Sequence, residues 1–267
     1  GSYGRFGNGD AAPNTSSTPI RAGNGEGNFI DLALNYFSAC GLQSTGAVRC
    51  WGTKTYLGVN ATDGTAATTP VSPIGLTSGA IAITGWGAGY CALTNTRTVQ
   101  CWGSSNTTGV IGNGTTSGGL TPSTVSGLSN VLAIQGSSQT MCALISGGQV
   151  RCWGSGVQGA LGDGTNSLGS TPRPAVNLGE PAVALAPAAT DVSNPTVPTD
   201  FGAQSPQAPI CAKLQSGKFK CWGAYVGMVP AELPTLPDGK KIVDVYTSAH
   251  GMYMKAEDSA VWYAPST

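Results

Sequence analysis

The chain has 267 residues, and its 13 Lys and Arg residues balance 13 Asp and Glu residues, which gives a formal net charge of zero. This balance argues against a basic nucleic-acid-binding surface, and no apolar run reaches the roughly 18 residues of a membrane-spanning helix. The 40 glycines argue against a mainly helical protein, because glycine destabilises helix interiors.

Short apolar segments recur along the chain, each preceded by a proline and most by a Gly-rich turn. They have the length and composition of strands, and a candidate hairpin follows each one. Each unit is therefore predicted to hold about four short strands. The apolar segments cover residues 29–34, 80–83, 131–134, 182–185 and 242–245, and the prolines are Pro19, Pro70, Pro122, Pro172 and Pro230.

Eight cysteines form four couples, each separated by ten positions. If Cys142 faces Cys152, a three-residue hairpin loop remains, and it ends in Gly148 as such loops require. Opposed residues of a hairpin bring their β-carbons within disulfide reach. The spacing therefore predicts four disulfides, which place the protein in an oxidising compartment: Cys40–Cys50, Cys91–Cys101, Cys142–Cys152 and Cys211–Cys221.

The second hairpin departs from this pattern at its loop. Gly46 and Gly217 hold the place of Gly148 in two other hairpins, whereas Arg97 holds it in the second. Arg97 is therefore expected to adopt a positive φ or to change the turn. The ten-residue spacing is poor for zinc, which prefers closer cysteine pairs, so no metal site is predicted.

A tryptophan follows the second cysteine of every couple, and these residues are predicted to fill the same core position in each unit. Trp262 is interpreted as a fifth copy without its cysteines, with the alternative that its hairpin slips by one residue and places Met252 rather than Gly251 opposite. The repeat-core tryptophans are Trp51, Trp102, Trp153, Trp222 and Trp262. They divide a single domain, 1–267, into units 1–52, 53–103, 104–154, 155–223 and 224–267.

Unit four is longer than its neighbours because of residues 186–209, which are rich in Pro, Thr, Ser, Ala and Asn. We interpret this insertion as a surface loop, with a binding loop as the alternative.

Repeats of 40–50 residues with four strands each are typical of propeller blades. The segments Cys142–Leu144 and Val150–Gly154, together with the Gly-rich turns, resemble the repeat of the regulator of chromosome condensation family. The resemblance covers all five units and implies a β-propeller, usually of seven blades. We therefore predict an all-β, five-unit β-propeller with one disulfide hairpin in each of the first four units. The two terminal segments are expected to meet and complete one blade.

The segments that enter the hairpins vary while the scaffold repeats, and in a propeller such connections lie on one face. They contain the aromatic residues Trp86, Tyr36, Phe37 and Tyr246. Aromatic side chains suit sugar stacking or protein contact, so these four form the candidate binding face. The alternative for Trp86 is that it packs over the channel mouth.

No catalytic residues are predicted. His250 is the one histidine, no nucleophile elbow or phosphate-binding loop occurs, and the acids are scattered. The chain is therefore not expected to be an enzyme or to need a cofactor.

Nuclear members of the family act on a small GTPase and chromatin, but four disulfides and zero net charge fit neither role. We expect an extracellular or cell-surface scaffold that contacts proteins and packs with copies of itself in a surface layer or filament, because a charge-poor surface does not oppose association. The alternatives are a lectin-like glycan-binding module and a secreted enzyme-inhibitor or receptor-binding propeller.

Overall fold

The computed structural model describes residues 4–10, 21–186, 208–248 and 251–265. In these residues, nineteen strands form five antiparallel sheets that follow one another in chain order. The secondary structure is otherwise limited to three short 3-10 turns.

Sheets one to four have four strands each, and sheet five has three strands among the described residues. Sheet one contains β1 (Phe29–Leu34), β2 (Ser38–Gln43), β3 (Val48–Thr53) and β4 (Ala66–Val71). Sheet two contains β5 (Ala80–Trp86), β6 (Gly89–Thr94), β7 (Val99–Gly103) and β8 (Ser123–Thr124). Sheet three contains β9 (Val131–Gly136), β10 (Thr140–Ile145), β11 (Gln149–Gly154) and β12 (Gly169–Pro174). Sheet four contains β13 (Ala182–Ala186), β14 (Ile210–Leu214), β15 (Phe219–Gly223) and β16 (Gly227–Glu232). Sheet five contains β17 (Ile242–Ser248), β18 (Gly251–Ala256) and β19 (Val261–Pro265).

The all-β architecture of repeated antiparallel sheets is confirmed, and so are the four disulfides. In each of the first four sheets the two cysteines lie directly opposite each other in the hairpin register. Arg97 has a φ of 61°, which confirms the positive φ expected there. The bonded couples are Cys40–Cys50, Cys91–Cys101, Cys142–Cys152 and Cys211–Cys221.

Each sheet packs on the next through two different faces. We call the face that carries the cysteine couple the leading face, and the opposite face, which carries the repeat tryptophan, the trailing face. The leading face of sheet one packs on Trp102 of sheet two, that of sheet two on Trp153, and that of sheet three on Trp222. The disulfide of sheet four packs on β17 and β18 of sheet five. The hydrophobic core therefore consists of four layers of side chains, one between each pair of successive sheets.

A Gly-rich turn between the third and fourth strands of one sheet covers the tryptophan of the next sheet. The indole Nε1 of Trp153 donates a hydrogen bond to the carbonyl of Val110 at 2.8 Å. A β-carbon on Gly112, whose φ is 75°, would lie 2.7 Å from that nitrogen, so glycine is required for this close approach. The same turn occurs at Gly7 over Trp51 and at Gly162 over Trp222.

The expectation that the two terminal segments meet in one blade falls mostly on residues 1–3, 11–20 and 266–267, which lie outside the described residues. Among those described, Gly4–Gly9 packs on sheet one. The Trp51 indole donates to the carbonyl of Arg5 at 2.9 Å, and the Gly9 amide donates to the carbonyl of Thr68 at 2.8 Å.

The fifth hairpin has a different register from the one we predicted. Val261 lies opposite Lys255, as Val48 lies opposite Leu42 in sheet one. Counting from this pair, Trp262 occupies the place of Arg49 and not that of Trp51. The interpretation of Trp262 as the fifth repeat tryptophan is therefore wrong.

The fifth hairpin is displaced by two residues from the predicted register, whereas we had considered a displacement of one residue. Met252 lies opposite Ala264. The two positions that hold the disulfide in the other sheets are occupied by Tyr253 and Tyr263, whose ring centroids lie 4.8 Å apart.

Candidate functional site

The inner strands of successive sheets contact one another in the order β1, β5, β9, β13 and β17. β1, β5 and β9 each continue into a short loop that enters the hairpin, and the loops of sheets two and three touch: the Gly87 amide donates to the carbonyl of Ser138 at 2.8 Å. We call this side of the molecule the loop face. It is the side on which the aromatic binding residues were predicted.

Tyr36 and Phe37 lie on the loop face beside each other. Their ring centroids are 6.2 Å apart, and Phe37 stacks on Tyr56 at 5.3 Å with the guanidinium of Arg5 over its ring. Tyr36 is solvent-exposed, whereas Phe37 is partly covered. Tyr36 is therefore the residue of this pair that presents its ring to solvent.

Trp86 is not available on the surface. Only 2% of its side chain is exposed, because its indole lies over Gly89 and Gly103, where a β-carbon would come within 2.7 Å of the ring. The prediction that Trp86 presents a stacking platform is wrong for this structure. Trp86 is instead a packed, buried side chain.

Tyr246 lies on the leading face of sheet five and not in a loop. Its hydroxyl donates to Oδ2 of Asp244 at 2.8 Å, and burial together with this carboxylate raises the pKa of Tyr246 to about 12. The four predicted aromatic residues therefore do not form one surface.

A buried polar network that the sequence analysis missed shapes the first loop. Oδ1 of Asn35 accepts hydrogen bonds from the amides of Phe37 and Ser38 and from the Ser38 hydroxyl. The Ser38 hydroxyl also lies 2.8 Å from the hydroxyl of Tyr90, whose pKa burial raises far above its usual value. Such a network fixes the loop that carries Tyr36. Short polar side chains in a loop gave no signal to distinguish it from an ordinary turn.

A cavity of about 190 Å³ opens on the loop face between sheets three and four. None of the side chains in its walls is titratable: the walls come from residues 137–140, Ser155, Val157, Gln158, Ala160, Ala208 and Ala224. The cavity therefore offers no group for acid–base chemistry.

Two further predicted features fall outside the described residues. These are His250 and residues 187–207 of the insertion. Within the described residues, no three His, Cys, Asp or Glu side chains cluster closely enough to hold a metal ion.

At the other end of the inner strands, every sheet carries a β-bulge with an aliphatic residue at the bulged position. In sheet two, for example, Ala80 pairs with Thr94 and Ala82 with Leu93, so Ile81 has no partner across the ladder. The exposed fractions of these side chains lie between 37% and 54%. We call this set the aliphatic row: Ile30, Ile81, Leu132, Val183 and Val243.

The aliphatic row could have been found by aligning the five apolar segments, because it is the second residue of each. The sequence analysis treated these segments only as strands and missed it. Single exposed aliphatic residues are ordinary on protein surfaces, whereas this set repeats at the equivalent position of every sheet.

Neither family models nor curated protein sequences match the chain. Solved structures do. Human WBSCR16 aligns with a TM-score of 0.70 and 16% identity over 88% of this chain and 61% of its own. The regulator of chromosome condensation of yeast, Prp20, aligns in complex with Kap60 with a TM-score of 0.64 and 17% identity, over 88% of this chain and 55% of its own. The chain has an RCC1-like β-propeller repeat fold.

A second structure of Prp20 from Saccharomyces cerevisiae aligns with a TM-score of 0.62 and 17% identity, over 88% of this chain and 56% of its own. The chain thus spans less than two thirds of the length of these structures. Among the described residues, no helix has the length and apolarity needed to cross a bilayer.

Proposed function

We propose that this protein is a non-catalytic extracellular scaffold that binds other proteins, copies of itself included. The observation that carries this proposal is the aliphatic row, in which five equivalent apolar side chains are exposed on a chain with only 10% charged residues. Burying such side chains on association is favourable, at about 25 cal/mol per Å² of apolar surface.

Two further observations support the proposal. Four buried disulfides fit an oxidising compartment. The structure of Prp20 with Kap60, and the description of Prp20 binding to Gsp1p and histones, are cases in which a propeller of this fold binds proteins. Those partners belong to Prp20, and only the class of partner is transferred here.

Protein capture by the immobilised, oxidised chain tests the proposal. Secreted proteins other than this chain, taken from the culture medium of the cells that produce it, are captured on wild type, on Leu132→Lys in the aliphatic row, and on Val157→Lys as a control. Val157 is an aliphatic residue outside the row, and its exposed fraction of 62% exceeds the 49% of Leu132. We expect Leu132→Lys to lose capture and Val157→Lys to retain it. Equal capture by all three proteins would contradict the proposal.

The lectin alternative now depends on Tyr36, because Trp86 is buried. A glycan panel with a Tyr36→Ala variant tests it. Glycan binding that Tyr36→Ala abolishes would favour the lectin over the scaffold.

A further inference from the structure

Sheets one and five each have one face that differs from the faces that pack together at the junctions between successive sheets. At the four internal junctions, a trailing-face residue of the inner strand packs on the preceding sheet and is buried: Ile83, Ile134, Leu185 and Val245 are at most 8% exposed. Leu32 holds the same position in sheet one, opposite Gly41, and 46% of it is exposed. The trailing face of sheet one is therefore not covered by another sheet.

The leading face of sheet five is exposed in the same way. In sheets one to four, the residue two positions before the second cysteine is buried against the following sheet: Val48, Val99, Val150 and Phe219. Val261 holds this position in sheet five and is 65% exposed. Tyr253 and Tyr263, at the disulfide positions, are exposed as well.

The inner strands of the two end sheets differ in their contacts from the inner strands of successive sheets. Each inner strand contacts the next, from β1 through to β17, but the described residues show no comparable contact between β17 and β1. The leading face of sheet five and the trailing face of sheet one are thus both exposed. Faces of these two kinds pack on each other four times within the chain.

We propose that copies of this chain associate head to tail, with the leading face of sheet five of one copy packed on the trailing face of sheet one of the next. This contact continues the sheet-to-sheet packing already present four times within the chain. It is heterologous, because the two surfaces differ, and it leaves an open face at each end for a further copy. The inference rests on the proposed scaffold function and specifies one of its partners.

The side chains at the junction suit this contact. Between sheets one and two, Oδ2 of Asp31 accepts the amide of Ile83 at 3.4 Å. Asp244 is the equivalent residue of sheet five, and both carboxylates accept the amide of the residue that follows them, Leu32 at 2.8 Å and Val245 at 3.0 Å. Asp244 therefore holds on sheet five the junction position that Asp31 holds on sheet one, and in the single chain its Oδ2 accepts the hydroxyl of Tyr246.

In sheet five, tyrosines occupy the two positions that hold a disulfide in the other sheets. They suit a surface that is exposed to water in the free chain and buried in the assembly. A tyrosine ring buries apolar area and its hydroxyl bonds to water, and tyrosine is enriched at protein interfaces. The zero net charge does not oppose stacking of copies.

Light scattering on wild type and on two single variants tests the inference. Leu32→Lys places a charge on the trailing face of sheet one, and Val261→Lys places one on the leading face of sheet five. Both residues are exposed in the single chain, so both variants are expected to keep the thermal midpoint of wild type. We expect the wild-type mass to rise with concentration above the 26.8 kDa of one chain, and each variant to remain at 26.8 kDa.

Mixing the two variants distinguishes a head-to-tail contact from a self-complementary one. Leu32→Lys retains a normal leading face and Val261→Lys a normal trailing face, so an equimolar mixture is expected to form dimers and nothing larger. A mixture that stays monomeric, a wild type that stays monomeric at millimolar concentration, or single variants that still polymerise would each overturn the inference.

Leu132→Lys separates this inference from the proposed function. It changes the aliphatic row and leaves both end faces intact, so it is expected to assemble as wild type does while losing protein capture. A monomeric wild type that still captures proteins through the row would leave the scaffold function standing and remove the head-to-tail contact.

Discussion

The first four hairpins and the fifth share one register but differ in the chemistry at its centre. The ten-residue spacing repeats in all five, yet the opposed residues form a disulfide in four hairpins and a pair of contacting rings, Tyr253 and Tyr263, in the fifth. The four disulfides are buried because another sheet packs on them, and the tyrosine pair is exposed. The residue type at these positions matches its environment. Compact, apolar disulfides lie between sheets, and amphipathic tyrosine rings lie where the leading face is exposed to water.

The tryptophans show the same contrast. Trp153 is fully buried under the Gly-rich turn of the preceding sheet and donates its indole hydrogen bond there. Trp262 lies at the position of Arg49, is partly exposed, and its buried indole nitrogen has no hydrogen-bond partner in the described residues. Trp262 is therefore held by fewer specific contacts than Trp153.

The largest expected effect is on these two tryptophans. Trp153→Ala should lower the free energy of unfolding by about 4 kcal/mol, because it empties a close-packed site and removes a buried hydrogen bond. Trp262→Ala should cost about 1 to 2 kcal/mol, because part of its ring is already in water. Chemical denaturation of both variants measures the difference, and equal losses would show that sheet five is packed as tightly as the interior.

The next effect concerns the cross-links. Replacing Cys142 and Cys152 by alanine should lower the free energy of unfolding by about 2 to 3 kcal/mol, since the bridge restricts a short loop in the unfolded chain. Replacing Tyr253 and Tyr263 by alanine should cost about 1 kcal/mol, the scale of an aromatic pair. If the tyrosine pair proved as costly to remove as the disulfide, the exposure of the fifth hairpin would be wrong.

The pH dependence of stability tests the contact between sheets one and two. Burial raises the pKa of Asp31 from 3.8 to about 6. Between these values the folded chain holds a proton that the unfolded chain has released, so stability falls as pH rises from about 4 to 6 and then levels off. At about 1.4 kcal/mol per pKa unit, the loss is about 2 kcal/mol after allowance for partial solvent screening.

Asp31→Asn is the matched variant, because its amide oxygen keeps an acceptor for the Leu32 amide while the charge is removed. Its denaturation midpoint should vary less between pH 4 and about 7 than that of wild type. Unchanged pH dependence in Asp31→Asn would show that Asp31 is not buried between the sheets.

The smallest effect is at the hairpin loops. Gly46, Gly148 and Gly217 have positive φ values, and Arg97 and Ser259 hold the same position with φ of 61° and 70°. Because this conformation costs an L-residue about 1 kcal/mol relative to glycine, Arg97→Gly should stabilise the chain by about that amount, and Ser259→Gly similarly. Thermal midpoints measure this; a decrease in both variants would contradict the loop geometry.

The repeat spacing of the cysteines was enough to predict the disulfides and the hairpin register, because a hairpin loop leaves little choice of pairing. The same reasoning failed at Trp262, where a tryptophan in a similar sequence was taken to mark the register and the Tyr253–Tyr263 spacing was overlooked. Trp86 was misjudged because glycines on either side suggest an open loop, whereas Gly89 and Gly103 make room for the buried ring. The exposure of Leu32 could not be predicted, since its segment resembles those of the buried sheets and only the tertiary arrangement shows that no other described sheet of this chain packs on it.

Thiol labelling of Leu32→Cys and Ile83→Cys tests the central claim most directly. The two residues are equivalent in sheets one and two, and all eight native cysteines are in disulfides, so each variant carries a single thiol. In dilute solution Leu32→Cys should react with a maleimide at the rate of an exposed thiol and become protected as the concentration rises, while Ile83→Cys should react far more slowly throughout. Equal protection of both thiols in dilute solution would contradict the account, because it would show that sheet five covers sheet one within the same molecule.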